Sequence, residues 1–188
     1  MGKAYKNFWS LNTDEAIVAG ILRDETPKNI EVLMPLNAQM KDIDLILINV
    51  KNKKSFTIQV KGSRAFEPHE RETEKYGDGS DGWFFFPRPV LDKSTADYFI
   101  FLIYVLEQSP QTGRRIIKPH TITVSTEKMK GFVKKYKRPH GDNRYSFYFW
   151  VNPKQKKAFD FRENRNKPYF YSEYLDQKGF KKLNRILG

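Results

Sequence analysis

The chain has 188 residues, no cysteine and a formal net charge of +12. This length suffices for one domain with a sizeable core, expected over residues 1–188, and the lack of cysteine excludes a disulfide framework and a cysteine-based zinc site. No apolar run approaches the roughly 20 residues of a membrane span, and the N-terminal residues lack a signal-peptide core, so a cytoplasmic protein without a membrane partner is expected.

A helix is predicted over residues 13–24, after a cap at Asn12 or Thr13. Glu15 lies in its first turn, where a carboxylate favours the helix dipole, and with Asn12 as the cap it occupies the capping-box position. Residues 29–36 then predict a strand. The apolar stripe of the helix consists of Ile17, Ile21 and Leu22.

Residues 42–50 and 55–63 are apolar and β-branched runs around the polar segment 51–54, a pattern that predicts a β-hairpin. We take Asn52-Lys53 as a two-residue turn. Because side chains alternate along a strand, one side of the hairpin is then apolar and is expected to pack into a core. That side carries Ile43, Leu45, Leu47, Phe56, Ile58 and Val60.

The same register places Asp44 directly opposite Lys61 on the polar side of the hairpin. Gln59 lies two residues before Lys61 and shares that side. Asp42 is on this side as well but lies beyond the Gln59–Lys61 pair, so it is the alternative acidic residue. An aspartate, an amide carbonyl and an ammonium group therefore converge at one end of the hairpin.

This combination suits metal-dependent cleavage of a phosphodiester. Asp44, the Gln59 side-chain carbonyl and the Val60 main-chain carbonyl are oxygen ligands of the kind that Mg²⁺ or Mn²⁺ accepts. Such a metal lowers the pKa of a bound water and neutralises phosphate charge. Lys61 can orient the water or stabilise the developing charge.

These residues resemble the signature of the PD-(D/E)xK nuclease superfamily, an aspartate followed by a hairpin and Glu-x-Lys, and the Gln-x-Lys form is most similar to Mrr-type restriction endonucleases. The resemblance covers residues 12–106 and implies a restriction-endonuclease-like α/β core, a mixed sheet flanked by helices, with DNA as substrate. It also implies a contribution of Glu15 to the metal site, and many restriction-type members act as homodimers. Gln59 departs from the glutamate of the signature and removes one ligand charge.

Residues 64–96 leave the sheet after Lys61 and contain a Gly-rich middle part that predicts a loop. The sequence leaves open whether a helix occupies the one flank of this loop or the other. This segment is expected to border the site. Arg64 and Arg88 are candidate phosphate contacts, and Trp83 is a candidate stacking residue, although a Trp-Phe-Phe-Phe run is also typical of a core.

The remaining chain predicts a central strand over residues 97–106, a strand over 120–125 and a helix over 126–135. A late strand over 145–151 and a final helix capped by Ser172 complete the prediction. The three histidines show no metal-ligand spacing and are expected in solvated loops; they are His69, His120 and His140.

Positive charge is concentrated in the aromatic-rich continuation, residues 107–188. Residues 1–107 hold 14 Lys and Arg against 16 Asp and Glu, whereas residues 108–188 hold 20 against 6. This distribution favours a nucleic acid partner, DNA with RNA as the alternative, but a solvated helix face has the same composition. The densest candidate contacts are Lys128, Lys130, Lys134, Lys135, Lys137, Arg138 and Arg144.

The sequence therefore predicts a metal-dependent DNA endonuclease of restriction, repair or mobile-element type. Two alternatives stay open: a weakly active or inactive nucleic-acid-binding protein on the same fold, and a basic structural or partner-binding α/β domain. The neutral Gln59 is the feature that keeps the first alternative open.

Overall fold

A computed structural model of the chain describes residues 13–35, 42–135, 143–162 and 167–188. It shows a mixed α/β fold with a mixed sheet flanked by helices, as the sequence predicts. The elements are α1 (Thr13–Glu25), β1 (Ile30–Leu33), β2 (Leu45–Asn49), β3 (Ser55–Gly62), α2 (Glu70–Tyr76), β4 (Ser80–Pro87), α3 (Arg88–Asp92), β5 (Tyr98–Gln108), β6 (Arg115–Ser125), α4 (Thr126–Lys135), β7 (Arg144–Asn152), β8 (Lys157–Asp160), β9 (Tyr169–Phe170) and α5 (Asp176–Leu187).

Two sheets organise the described residues. The first has five strands in the order β1-β2-β3-β5-β6 and the second has four in the order β4-β7-β8-β9. In the first sheet, β3 and β5 run parallel, whereas the other neighbours are antiparallel. The second sheet is antiparallel throughout.

The central strand β5 is buried on both faces, which confirms the prediction made from its continuous apolar run. Phe99, Phe101 and Ile103 contribute to a phenylalanine-rich core shared with β4 and β7. Ile100 and Leu102 point to the other face and contribute to a second core. One strand therefore joins both cores, since successive side chains alternate across the sheet.

The second core lies beneath helices α1 and α5, and it includes the apolar side of the β2–β3 hairpin. Leu45, Leu47, Ile58 and Val60 are buried there, as predicted. From the helices come Val18, Leu22, Phe180, Leu183 and Leu187. The polar side of the hairpin consequently faces away from α1 and α5.

Two predictions about where loops and helices lie are wrong. The middle of residues 64–96 is not a loop, because β4 begins at Ser80 and α2 and α3 flank it. Gly82 serves close packing here, since a Cβ at this position would lie 2.6 Å from Cγ1 of Ile103. Ser172 does not cap the final helix, since it begins a separate 3-10 turn and α5 starts after Leu175.

The other predicted helices and strands are found close to their predicted positions, including α1, α4 and β7. Among the described residues, no helix is long and apolar enough to cross a lipid bilayer.

Candidate functional site

The turn of the β2–β3 hairpin is longer than predicted. Asn49 donates its main-chain N–H to the carbonyl of Lys54, and its side-chain oxygen accepts the N–H of Lys51 at 2.9 Å. Lys53 takes the left-handed conformation with φ 61°. The loop therefore spans residues 50–53, organised by an Asn side chain that caps the turn, rather than Asn52-Lys53 alone.

This turn changes the register. Leu45 pairs with Ile58, and the Asp44 N–H donates to the Ile58 carbonyl as well, so the prediction that Asp44 faces Lys61 is wrong. Because the shift is two residues, the paired residues 45–48 and 55–58 keep their predicted faces. Asp42, the alternative acidic residue, lies before the paired part of β2 and is half-buried.

Asp44 closes the β2–β3 ladder with its side chain. Its Oδ2 accepts the Val60 N–H at 2.7 Å, while its own N–H donates to the Ile58 carbonyl at 2.9 Å. The N–H of Ser63 points the other way, to Leu102 of β5. Since N–H and C=O of one strand residue point to the same side, the Val60 carbonyl also faces the Asp44 side of β3.

Gln59 is the least expected residue of this site, because it is a polar side chain that is only 3% exposed. Its Oε1 has no hydrogen-bond partner among the described residues. Leaving a buried amide oxygen unsatisfied costs about 1–3 kcal/mol. Other buried side-chain atoms of the described residues, such as Thr123 Oγ1 and Trp150 Nε1, share this state, and an ion or an ordered water commonly satisfies such atoms. Gln59 differs from them in lying beside the Asp44 carboxylate, which bonds to the next residue, Val60.

The three predicted oxygen ligands fit a hard cation. Asp44 supplies a carboxylate, Gln59 an unpartnered amide carbonyl and Val60 a main-chain carbonyl. Mg²⁺ accepts this set because it keeps several waters and takes further oxygens from substrate phosphates. The part of the chain that the structure describes contains no group of three His, Cys, Asp or Glu side chains suited to a metal. Much of the cation's charge would therefore have to be balanced by the substrate.

Helix α1 brings an acidic residue to the same strand end, but on the opposite face. Gly62 leaves no room for a Cβ because the Asp14 carboxylate lies against it. Asp14 accepts the Tyr104 hydroxyl at 2.7 Å, and burial together with this hydrogen bond raises the pKa of Tyr104 to about 12. Glu15, the predicted residue, is half-buried in the first turn beside it. The sequence analysis missed Asp14. Gly62, directly after Lys61, is the one signal that another group packs closely against the end of β3.

Three of the predicted site residues, Lys61, Arg64 and Trp83, line one groove. This groove of about 380 Å³ is lined by Lys61, Arg64 and Trp83, together with Phe66 and Phe85. The main-chain N–H of Trp83 donates to the side-chain oxygen of Ser63 at 2.9 Å. This hydrogen bond holds the chain after β3 against β4.

The remaining basic candidates lie toward the other end of the sheet. Contacts between the two sheets fix the level of these residues. Pro87, just before Arg88, pairs with Arg144, and the neighbouring Phe86 ring stacks on Phe99. Tyr98, beside Phe99, pairs with Ser125, after which α4 begins. This level is three residues from the Lys61–Phe101 pair, about 10 Å along the strands. The candidates in this group are Arg88, Lys128, Lys130, Lys134, Lys135 and Arg144, and the predicted contacts Lys137 and Arg138 lie outside the described residues.

His120 does not lie in a solvated loop, so that prediction is wrong. Its side chain is largely buried in β6, with Nε2 2.9 Å from Glu107 Oε1 and Nδ1 2.8 Å from Asp176 Oδ2. Burial lowers the pKa of this imidazole, but the hydrogen bonds and charges of Asp176 and Glu107 outweigh burial and raise it above the usual value. His69 is exposed as expected, and His140 lies outside the described residues.

Comparison with known proteins adds no relative: no protein-family profile matches the chain, and neither curated proteins nor solved structures return a match.

Proposed function

We propose that this chain is a metal-dependent DNA endonuclease of PD-(D/E)xK type, built on a restriction-endonuclease-like core. The observation that carries the proposal is the buried Gln59 oxygen, which lacks a partner among the described residues. Its two neighbours in β3, Ile58 and Val60, both hydrogen-bond to Asp44. The superfamily usually has a helix between the Gln-x-Lys strand and the next strand of the sheet. Helices α2 and α3 occupy that part of the chain, and β3 and β5 are parallel neighbours.

In this proposal Asp44, Gln59 and the Val60 carbonyl hold Mg²⁺ or Mn²⁺ beside the scissile phosphate. The metal supplies a water of lowered pKa and neutralises charge on the phosphate. Lys61 orients the attacking water or stabilises the charge that develops on the phosphate oxygens. Glu15, with its neighbour Asp14, is a candidate for completing the acidic environment from α1.

The neutral Gln59 favours a second candidate function on the same fold, a nucleic-acid-binding protein with weak or no activity. With one carboxylate among the three proposed ligands, the site holds a divalent cation less strongly than a two-carboxylate site would. DNA binding without cleavage is the outcome that this alternative predicts.

The test is nicking of supercoiled plasmid by wild type and Asp44→Asn, with Mg²⁺, with Mn²⁺ and with EDTA. Asparagine keeps an oxygen that can accept the Val60 N–H but removes the charge. We expect metal-dependent nicking by wild type, none with EDTA, and a loss of about 100-fold or more in Asp44→Asn.

Asp92→Asn is the matched control, because Asp92 also accepts one hydrogen bond, from the Tyr145 hydroxyl at 2.9 Å, and lies at the other end of the sheet. It should nick at the wild-type rate. If the wild-type protein binds plasmid but does not nick it, the nuclease proposal is wrong and the nucleic-acid-binding protein takes its place.

A further inference from the structure

An aromatic column lies on the outer face of the second sheet and begins at the groove beside Lys61. Phe66 and Trp83 are stacked with ring centres 5.1 Å apart, and Trp83 and Tyr148 follow at 5.0 Å. The Arg162 guanidinium lies 5.1 Å from the centre of the Tyr148 ring. We call Phe66, Trp83, Tyr148 and Arg162 the aromatic column.

The alternation along β4 explains why these rings face outward. Phe84 and Phe86 are buried in the phenylalanine-rich core, whereas Trp83 and Phe85 are 38% and 52% exposed. Phe85 stands edge-on to Tyr148 at 5.6 Å and extends the column toward solvent. An outer sheet face is ordinarily polar, so a contiguous aromatic surface there indicates a binding role.

Cationic groups and a strand edge border the same groove. Lys61 and Arg64 line it together with Trp83 and Phe85. The Trp83 N–H points away from β7, to Ser63, so the Phe85 N–H two residues on points to the same edge. Rings, cations and the main-chain N–H of Phe85 therefore border one groove.

We propose that this groove binds one unpaired nucleotide, with its base against Phe85 and the aromatic column and its phosphate at Lys61 and Arg64. This inference rests on the proposed function, because Lys61 borders both the groove and the proposed metal site. It narrows the substrate class to nucleic acid with an unpaired base next to the bond that is cut.

Base stacking accounts for the preference for an unpaired nucleotide over an intact duplex. In a duplex each base is stacked on its neighbours and offers only its edges, so aromatic side chains cannot reach its face. Single-stranded segments offer that face, and stacking on aromatic side chains tolerates any base identity. A phosphate beside the rings matches the lysine and arginine of the groove.

The experiment measures binding in EDTA to three oligonucleotides: a single strand, its perfect duplex, and that duplex with one unpaired nucleotide. The variants are Phe85→Leu, which removes an exposed ring without changing the core, and Phe170→Leu, which removes a 69% exposed ring on β9. We expect Phe85→Leu to bind the single strand and the bulged duplex about tenfold more weakly, with unchanged affinity for the perfect duplex. Phe170→Leu should match wild type on all three.

Equal losses on all three oligonucleotides, or no loss on any, would overturn the nucleotide site. Adding Mg²⁺ afterwards separates this inference from the proposed function. Cleavage of the bulged duplex without any effect of Phe85→Leu overturns the nucleotide site and leaves the nuclease standing. A selective binding defect without cleavage by wild type supports the nucleotide site and removes the nuclease.

Discussion

Two of the polar clusters on the described part of the five-stranded sheet differ in how their atoms are satisfied. At one, His120 joins Glu107 of β5 to Asp176 at the start of α5, and Lys118 also contacts Glu107 at 3.0 Å. At the other, Asp44 closes the hairpin ladder while the buried Gln59 oxygen has no partner among the described residues.

This difference separates a structural cluster from a candidate site. Both ring nitrogens of His120 and the carboxylates on either side are engaged with one another, which holds α5 against β6. The cluster therefore contributes stability. The Gln59 oxygen is as deeply placed but gains no such compensation within the described part of the chain, and a bound ligand would satisfy it.

The largest expected effect tests whether the two clusters differ in function. Lys61→Ala should lower the rate of metal-dependent cleavage about 10²- to 10³-fold, because an oriented charged group beside the phosphate is lost. Lys118→Ala, in the structural cluster, is the matched control and should cleave at the wild-type rate. Single-turnover plasmid nicking measures both, and equal rates for Lys61→Ala and wild type would exclude Lys61 from the mechanism.

The structural cluster should respond to pH instead. The folded-state pKa of His120 is raised, so its contribution to stability is complete below the unfolded value near 6.5 and is lost as pH rises through the folded value. His120→Gln should lower the free energy of unfolding by about 1–2 kcal/mol at pH 5.5, and by less at pH 8.5. Chemical denaturation at both pH values measures the free energy of unfolding. A difference between variant and wild type that does not change with pH would show that His120 is not held as a cation between Glu107 and Asp176.

Replacing the neutral Gln59 with glutamate tests whether residue 59 binds the metal at the candidate site. Gln59→Glu should lower the Mg²⁺ concentration needed for half-maximal cleavage several-fold, since a second carboxylate would then face the metal. The maximal rate is a separate quantity and can move in either direction. Gln108→Glu, an exposed change at the end of β5, should leave the titration unchanged. A Gln59→Glu titration that coincides with wild type would count against metal ligation.

The smallest expected effect concerns DNA contact away from both clusters. If Lys134 and Lys135 of α4 each neutralise a phosphate, replacing both with glutamine reduces the slope of log affinity against log salt by up to about two on duplex DNA. The control changes Lys51 and Lys54, which are exposed at the hairpin turn. Equal slopes for the α4 variant and wild type would identify these lysines as a solvated helix face.

How far the sequence predicts the site is clearest in the hairpin. The alternation of apolar and polar residues determined that Gln59 and Lys61 share a face, because a strand repeats every two residues. It did not determine the register, which depends on a turn organised by the Asn49 side chain and a left-handed Lys53. The common face of Gln59 and Lys61 was therefore predicted correctly, and the opposing partner of Asp44 was not.

Composition gave a wrong prediction for residues 79–82, because polar residues that are typical of loops are buried there in a strand. The Gly-Ser-Asp-Gly stretch before Trp83 has the composition of a loop, yet Ser80 and Asp81 are buried in β4 and Gly82 packs against Ile103. Conversely, the continuous apolar run of β5 needed no tertiary information, since only a strand covered on both faces accommodates it.

The sequence by itself determined the helices with a clear apolar stripe, the buried central strand and the polar face of the hairpin, because these follow from local periodicity. Only the tertiary structure decided which distant residues meet. His120 and Asp176 are 56 residues apart and Ser63 and Trp83 are 20 apart, and each pair forms through the packing of separate elements. No local pattern encodes such contacts, since they depend on how whole strands and helices pack to bury apolar surface.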